Sequence, residues 1–187
     1  MAHIFDPEVL QQIARDALGQ PIEAMVAQIV SELSNRYRDH ILPSEDHEWI
    51  FNNAGGAMGA MLVLHASISE YVIIFGTAIG TEGATGRFAA DDWFTMLEGE
   101  QWNYAEGDLD RQVVKPGETA ILRRGQSKAY RFPDKAWGLE YARGAIPLML
   151  PFGLADTFSS TLDFTPLYRT LRIYTKATVG NLLKGKI

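Results

Sequence analysis

The sequence predicts an α+β protein in which an antiparallel β-barrel or sandwich lies between N-terminal and C-terminal helices. Three observations carry this: capped helical stripes at both ends of the chain, short apolar runs broken by glycine and proline turns in the middle, and an aromatic share of 11%. The 187 residues, 47% hydrophobic and 21% charged, suit one folded domain rather than a disordered chain. Within it we expect N-terminal helices over 1–46, a barrel with a ligand pocket over 47–145 and membrane-facing helices over 146–187.

The first helix is marked by Asp6 as N-cap, Pro7 at the first position and Gly19 beyond the end, with Val9, Leu10, Ile13, Ala14 and Ala17 as its stripe. Pro21 opens a second helix whose inner face runs from Ile22 and Met25 to Leu33 and Tyr37, ending before the turn at Pro43. Short apolar runs then follow at 49–51, 58–65, 71–79, 120–122, 129–132 and 138–141. Turns such as Lys115-Pro116-Gly117-Glu118 separate them, as in an all-β region. The glycine-rich patch 53–60 lacks the Lys-Ser/Thr ending of a phosphate loop, and tight packing or a bulge in a strand explains it better. Thr165 and Pro166 are read as the cap and start of a last helix.

Several classes of chemistry drop out. No cysteine is present, so thiolate metal sites, disulfides and a Cys nucleophile are absent. His3, His40, His47 and His65 show no ligand spacing, so we expect no metal and no cofactor. No G-x-S-x-G elbow occurs. A net charge of −6 argues against nucleic acid. No run reaches the length of a membrane span, and the N-terminus, with Asp6 and Glu8, lacks the signature of a signal peptide. The tail after Asp163 carries Arg169, Arg172, Lys176, Lys184 and Lys186 and no acid, beside an apolar face. That pairing suits a helix lying on a membrane surface.

The remaining chemistry lies in carboxylates with apolar neighbours: Glu140 between Leu139 and Tyr141, Glu70 before Tyr71, and the pair Asp91-Asp92 before Trp93-Phe94. Strand alternation allows each to point outward to water or inward. An inward carboxylate loses hydration and becomes a proton donor near neutral pH. Glu70 is read as structural, bonded to backbone near Tyr71.

The run from Trp49 to Thr81, WIFNNAGGAMGAMLVLHASISEYVIIFGTAIGT, closely resembles fungal sterol C8–C7 isomerases and the animal sigma non-opioid receptor. So do Glu82-Gly83, Thr85-Gly86-Arg87, Asp91-Asp92, Pro116-Gly117-Glu118, Leu139-Glu140-Tyr141 and the stretch 146–163. This resemblance implies a cupin-like β-barrel packed against helices, assembled as a homotrimer, with a hydrophobic small molecule inside. It further implies association with the endoplasmic reticulum membrane, usually through an N-terminal anchor; this chain begins at its first soluble helix, so the expectation is that it is either trimmed or naturally without that anchor. In sigma-type receptors the position of Glu140 holds the ammonium of bound amines, and the receptor's second acid falls on Phe94. Fungal isomerases carry an acid pair matching Asp91-Asp92, and Asp92 shares a strand face with position 94. Histidines flank the Thr-Gly-Arg motif in those isomerases, where Ala84 and Phe88 stand here.

The resemblance thus implies Glu140 and Asp92 as a catalytic acid–base pair, with Asp91 a weaker candidate, and a carbocation held among aromatic rings. It places Tyr71, Ile73 and Phe75 on one wall with Met61, Val63 and Phe94 near them. Further wall residues are Tyr130, Phe132, Ile146, Leu150 and Tyr174. The expected substrate is a sterol; a terpenoid that is protonated and cyclises, or a non-catalytic sigma-like ligand, are the alternatives.

Overall fold

The computed structural model describes residues 3–186. Helix α1 spans Pro7–Asp16 and α2 spans Ile22–Arg36. Asp6 accepts the Glu8 N–H at 2.8 Å and Pro7 opens α1. Gly19 links the helices at φ 88°, a left-handed conformation that only glycine adopts at little cost.

Among the described residues ten strands follow: β1 (Trp49–Ala54), β2 (Ala57–Ala66), β3 (Glu70–Thr77), β4 (Thr81–Ala84), β5 (Ala90–Glu98), β6 (Gln101–Ala105), β7 (Gln112–Val114), β8 (Thr119–Leu122), β9 (Lys128–Phe132) and β10 (Ala136–Gly144). Every expected apolar run lies on a strand, although β3 stops at Thr77. The glycine-rich patch is the β1–β2 hairpin: Ala54 pairs with Ala57, and Gly55 and Gly56 turn the chain at φ 61° and 88°. Positive φ at both central residues is what a tight two-residue hairpin requires.

The strands form a six-stranded sheet in the order β1-β2-β3-β10-β5-β8 and a four-stranded sheet in the order β4-β9-β6-β7. All pairings are antiparallel. Phe132 of the small sheet packs on Phe75 and Phe94 of the large one, with ring centroids 6.3 and 5.6 Å apart. The two sheets thus share one interior, a cupin-like barrel.

A second core lies outside the barrel. Leu62, Leu64, Val72, Ile74, Leu139 and Tyr141 face α1 and α2, while Met61, Tyr71, Ile73, Phe75 and Ala142 face the interior. The central strands β3 and β10 therefore have a covered surface on both sides, and alternation sorts their side chains between two cores.

After β10 come a single 3-10 turn (Ile146–Leu148), α3 (Leu150–Asp156), a π turn (Thr157–Thr161) and α4 (Phe164–Leu183). Asp163, rather than Thr165, caps α4, accepting the Thr165 N–H at 3.2 Å. A carboxylate is the stronger acceptor for a helix N-terminus, so the boundary falls two residues earlier than the sequence suggests. Ile173 and Ala177 of α4 pack into the barrel core. No described helix is long and apolar enough to cross a membrane.

The basic residues of α4 do not form a free cationic face. Arg169 and Arg172 both pair with Glu48, Lys176 pairs with Asp46, and Lys184 Nζ donates to the Asp39 carbonyl. The outer surface from α3 to α4 is instead apolar, with Phe158, Leu162, Phe164, Tyr168 and Leu183 exposed.

Glu70 ties the two ends of the chain together. It is fully buried; its carboxylate accepts from the Ile4 N–H at 2.7 Å and the Tyr141 hydroxyl at 2.8 Å, and pairs with Lys186 Nζ at 2.8 Å. Its partners thus lie far along the chain, not in backbone near Tyr71. Burial pushes its pKa up, but the Lys186, Ile4 and Tyr141 donors together hold it below the ordinary value. Glu70→Gln removes the carboxylate charge that meets the buried Lys186 ammonium and should cost about 3 kcal/mol at neutral pH. Because the folded-state pKa is depressed, this difference should shrink as pH falls through the carboxylate range. Urea unfolding at pH 7 and pH 4 tests both statements.

Candidate active site

Three adjacent strands of the large sheet build the site. Across β10, Glu140 pairs with Ile73 of β3 and Phe94 of β5, and Ala142 pairs with Tyr71 and Asp92. One strand face therefore presents Tyr71, Glu140 and Asp92 to the interior, with only a methyl group between Tyr71 and Asp92. A larger residue at 142 would wedge the two apart. Phe94 stands opposite Glu140, but its ring lies over Gly138, where a Cβ would come within 2.3 Å of the ring. Glycine there gives the phenyl ring room beside the acids.

The Tyr71 hydroxyl hydrogen-bonds to Glu140 Oε1 and lies 3.2 Å from Asp92 Oδ2. Asp92 and Glu140 are also within hydrogen-bonding reach of each other. A phenol has one proton to give. If it goes to Glu140, the contact with Asp92 is a hydrogen bond only when Asp92 itself carries a proton.

The electrostatics point the same way. Burial, then the charge and hydrogen bond of Glu140, push Asp92 well above its ordinary pKa. Burial also raises Glu140, but there the hydrogen bonds from Tyr71 and Asp92 act against the rise. The pair therefore shares one proton, and the opposed hydrogen-bond contributions bias it towards Asp92. Tyr71, Tyr130 and Tyr174 are all pushed upward, first by burial and next by Glu140, and stay neutral phenols.

These groups open on a cavity of about 190 Å³ between the sheets, roofed by residues 146–154 and α4. Both acids are partly covered by neighbours, and they line this cavity. Every wall residue expected from the sequence lines it except Val63. Val63 points to the interior but is only 1% exposed and packs in the core. Asp91 is a correction: it projects to the opposite strand face, where Oδ1 accepts the Arg124 N–H at 3.0 Å, outside the cavity. Alternation forces this, since Asp92 already points inward.

Ala84 and Phe88 both line the cavity, and Phe88 packs edge-on against Phe152 of α3 at 5.2 Å. Sequence reasoning missed the polar wall residues Asn52, Thr85, Lys128 and Thr170, and with them Gln101 and Asn103 of β6. Their alternation with Trp102 reads as a polar outer face, yet Trp102 is the residue outside, under Arg111 at 3.7 Å. Among the described residues no group of three or more His, Asp or Glu side chains gathers into a cation site.

Three comparisons bear on this geometry. The family described as "ERG2 and Sigma1 receptor like protein" matches residues 1–186. A C-8 sterol isomerase of Neurospora crassa is 52% identical over 187 residues, spanning 98% of this chain and 73% of that protein. The sigma non-opioid intracellular receptor 1 of Danio rerio is 41% identical over 177 residues, spanning 95% of this chain and 80% of the receptor. Among solved structures, a predicted oxalate decarboxylase from Thermotoga maritima is 14% identical, covering 56% of this chain and 98% of that one at a TM-score of 0.48.

The pKa asymmetry has a consequence for stability. A carboxyl raised in the folded state favours folding below its unfolded pKa, and that contribution is lost as pH rises toward the folded value. Asp92→Asn removes this loss, so the variant should be more stable than the parent at pH 8 and differ little at pH 4. Thermal melts at the two pH values check it; a variant less stable at pH 8 contradicts the placement of the proton on Asp92.

Proposed function

Because the chain belongs to the ERG2 and Sigma1 receptor-like family, we propose that it is a sterol isomerase that moves a ring alkene from C8 to C7, with Asp92 and Glu140 as its acid–base pair. The observation that carries this reading is the Tyr71 hydroxyl placed between the two acids in a largely apolar cavity. Asp92 delivers its proton to C9 of a Δ8 alkene, leaving a cation at C8. Loss of the C7 proton to Glu140 closes the Δ7 alkene. The cavity excludes the water that would trap the cation, while Phe94, Tyr130 and Phe132 turn aromatic surface towards it. When the product leaves, Glu140 gives up its proton to solvent and Asp92 regains one from solvent, which resets the pair.

Ala84 and Phe88 on the cavity wall favour one second reading, in which a terpenoid is protonated and cyclises. The substrate reaches the cavity from a membrane surface, that of the endoplasmic reticulum by family, across the exposed apolar side of α3 and α4. Since the cations of α4 are paired with Glu48 and Asp46, this contact depends on apolar burial more than on charge. The homotrimer implied by the resemblance belongs to the same proposal and is read by light scattering.

Incubation with a Δ8-sterol in deuterium oxide should give a Δ7 product carrying one deuterium, detected by mass spectrometry. Glu140→Gln keeps the shape and removes the base, and should lower kcat by roughly 10²–10⁴-fold. The pH profile of kcat/KM should be bell-shaped, falling in acid as Glu140 protonates and in base as Asp92 ionises. A cyclised product from a polyprenyl substrate supports the second reading; amine binding with no turnover of either substrate overturns both. Tyr168→Glu with Leu171→Glu should weaken co-sedimentation with phosphatidylcholine vesicles, and added salt should have little effect on the parent.

A further inference from the structure

Two cavity side chains have no place in the proton chemistry. Gln101 and Asn103 lie two residues apart on β6, on the sheet opposite the acids, and are 6% and 3% exposed. Both line the cavity. Gln101 Oε1 and Asn103 Nδ2 are buried, and neither has a hydrogen-bond partner in the protein. A buried amide with an unmet donor or acceptor is costly, and replacing it by an apolar group of the same shape is close to neutral or stabilising. Nothing in the packing requires amides here: Val114 and Phe132 flank the same part of the core and are apolar. Asn52, Thr85, Lys128 and Thr170 also line the cavity, but only Gln101 and Asn103 among these wall residues carry a buried side-chain atom with no partner, and two such amides side by side suit a polar group brought in by the ligand.

Their chemistry is also complementary. Gln101 offers an acceptor and Asn103 a donor, and strand geometry sets the two residues about 7 Å apart along one face. A single alcohol satisfies both, accepting from Asn103 Nδ2 and donating to Gln101 Oε1. A ketone or an ether would satisfy only the donor, and an ammonium only the acceptor.

We propose that Gln101 and Asn103 form an alcohol-binding subsite that anchors the hydroxyl of the substrate on the wall opposite Asp92 and Glu140. The inference rests on the sterol reading, since a sterol carries one alcohol on a rigid apolar frame. Anchoring that alcohol fixes which ring carbon faces the acids, so the subsite sets regiochemistry as well as affinity. The two polar regions of the cavity then differ in role, the acids handling protons and the amides holding a neutral hydroxyl.

Equilibrium dialysis with a Δ8-sterol, its 3-deoxy analogue and its 3-methyl ether tests this by binding, independently of turnover. The parent should favour the alcohol over the deoxy compound by roughly tenfold or more, with the ether between them. Asn103→Leu and Gln101→Met should each bring that ratio close to one while leaving Tm unchanged or higher, since an unmet polar group is removed. Asn103→Asp, which keeps the shape and removes the donor, gives the same loss if either apolar variant folds poorly. Equal affinity of the parent for all three sterols overturns the subsite and leaves the isomerase reading standing. So does a ratio that survives every variant, which would mean that water alone satisfies the amides. Failure of all three sterols to bind overturns both the subsite and the sterol reading.

Discussion

The site depends on one hydrogen-bonded group, the Tyr71 phenol held between Glu140 and Asp92, and that group exists because strands β3 and β10 are buried on both faces. A strand with one wet face would let a carboxylate turn to water at no cost. Here the opposite face is sealed by α1 and α2, so alternation sends Leu139 and Tyr141 into one core and Glu140 into the other. Two acids brought together out of water cannot both ionise cheaply. Their shared proton is a consequence of packing, and Tyr71 hydrogen-bonds to both acids.

The two ends of the chain serve this arrangement differently. The N-terminal helices cover the back of the sheet, and Glu70 with Tyr141 pins the segment before α1 to that same face. Glu70, fully buried, and Glu140, on the cavity wall, are thus two carboxylates on adjoining strands with opposite surroundings. Glu70 is matched by the Lys186 ammonium and held ionised, as a structural tie. Glu140 meets an acid and a phenol instead, with no cation among its hydrogen-bonding neighbours. The neighbours, not the residue type, separate structure from chemistry. At the other end, residues 146–154 line the cavity from inside while α3 and α4 keep apolar side chains outside, so the same elements close the barrel and present the apolar surface of the proposed membrane contact.

Much of this was legible in the sequence, for physical reasons that differ by residue. Caps such as Asp6, and runs such as 71–77, act locally and show themselves locally. Whether Glu140 points inward was not legible from alternation alone, because a period of two has two phases; the family resemblance chose the phase. Asp91 and Asp92 present the same ambiguity, and the backbone N–H of Arg124, 33 positions away, fixes Asp91 outward. The basic tail misled for a related reason: a local count of cations cannot see that Asp46 and Glu48 come to meet them. Gln101 and Asn103 were the hardest, since an amide on an amphipathic strand beside a tryptophan reads as a surface residue. Only the position of Trp102 outside, beneath Arg111, reverses the reading.

In the proposed acid–base pair a single proton sits on Asp92 at neutral pH while Glu140 is ionised. Infrared difference spectroscopy at pH 7 reads it directly, as the carbonyl stretch of a protonated, buried carboxylic acid. The parent should show this band and Asp92→Asn should lose it. Absence of the band in the parent, or its persistence unchanged in Asp92→Asn, would contradict the account.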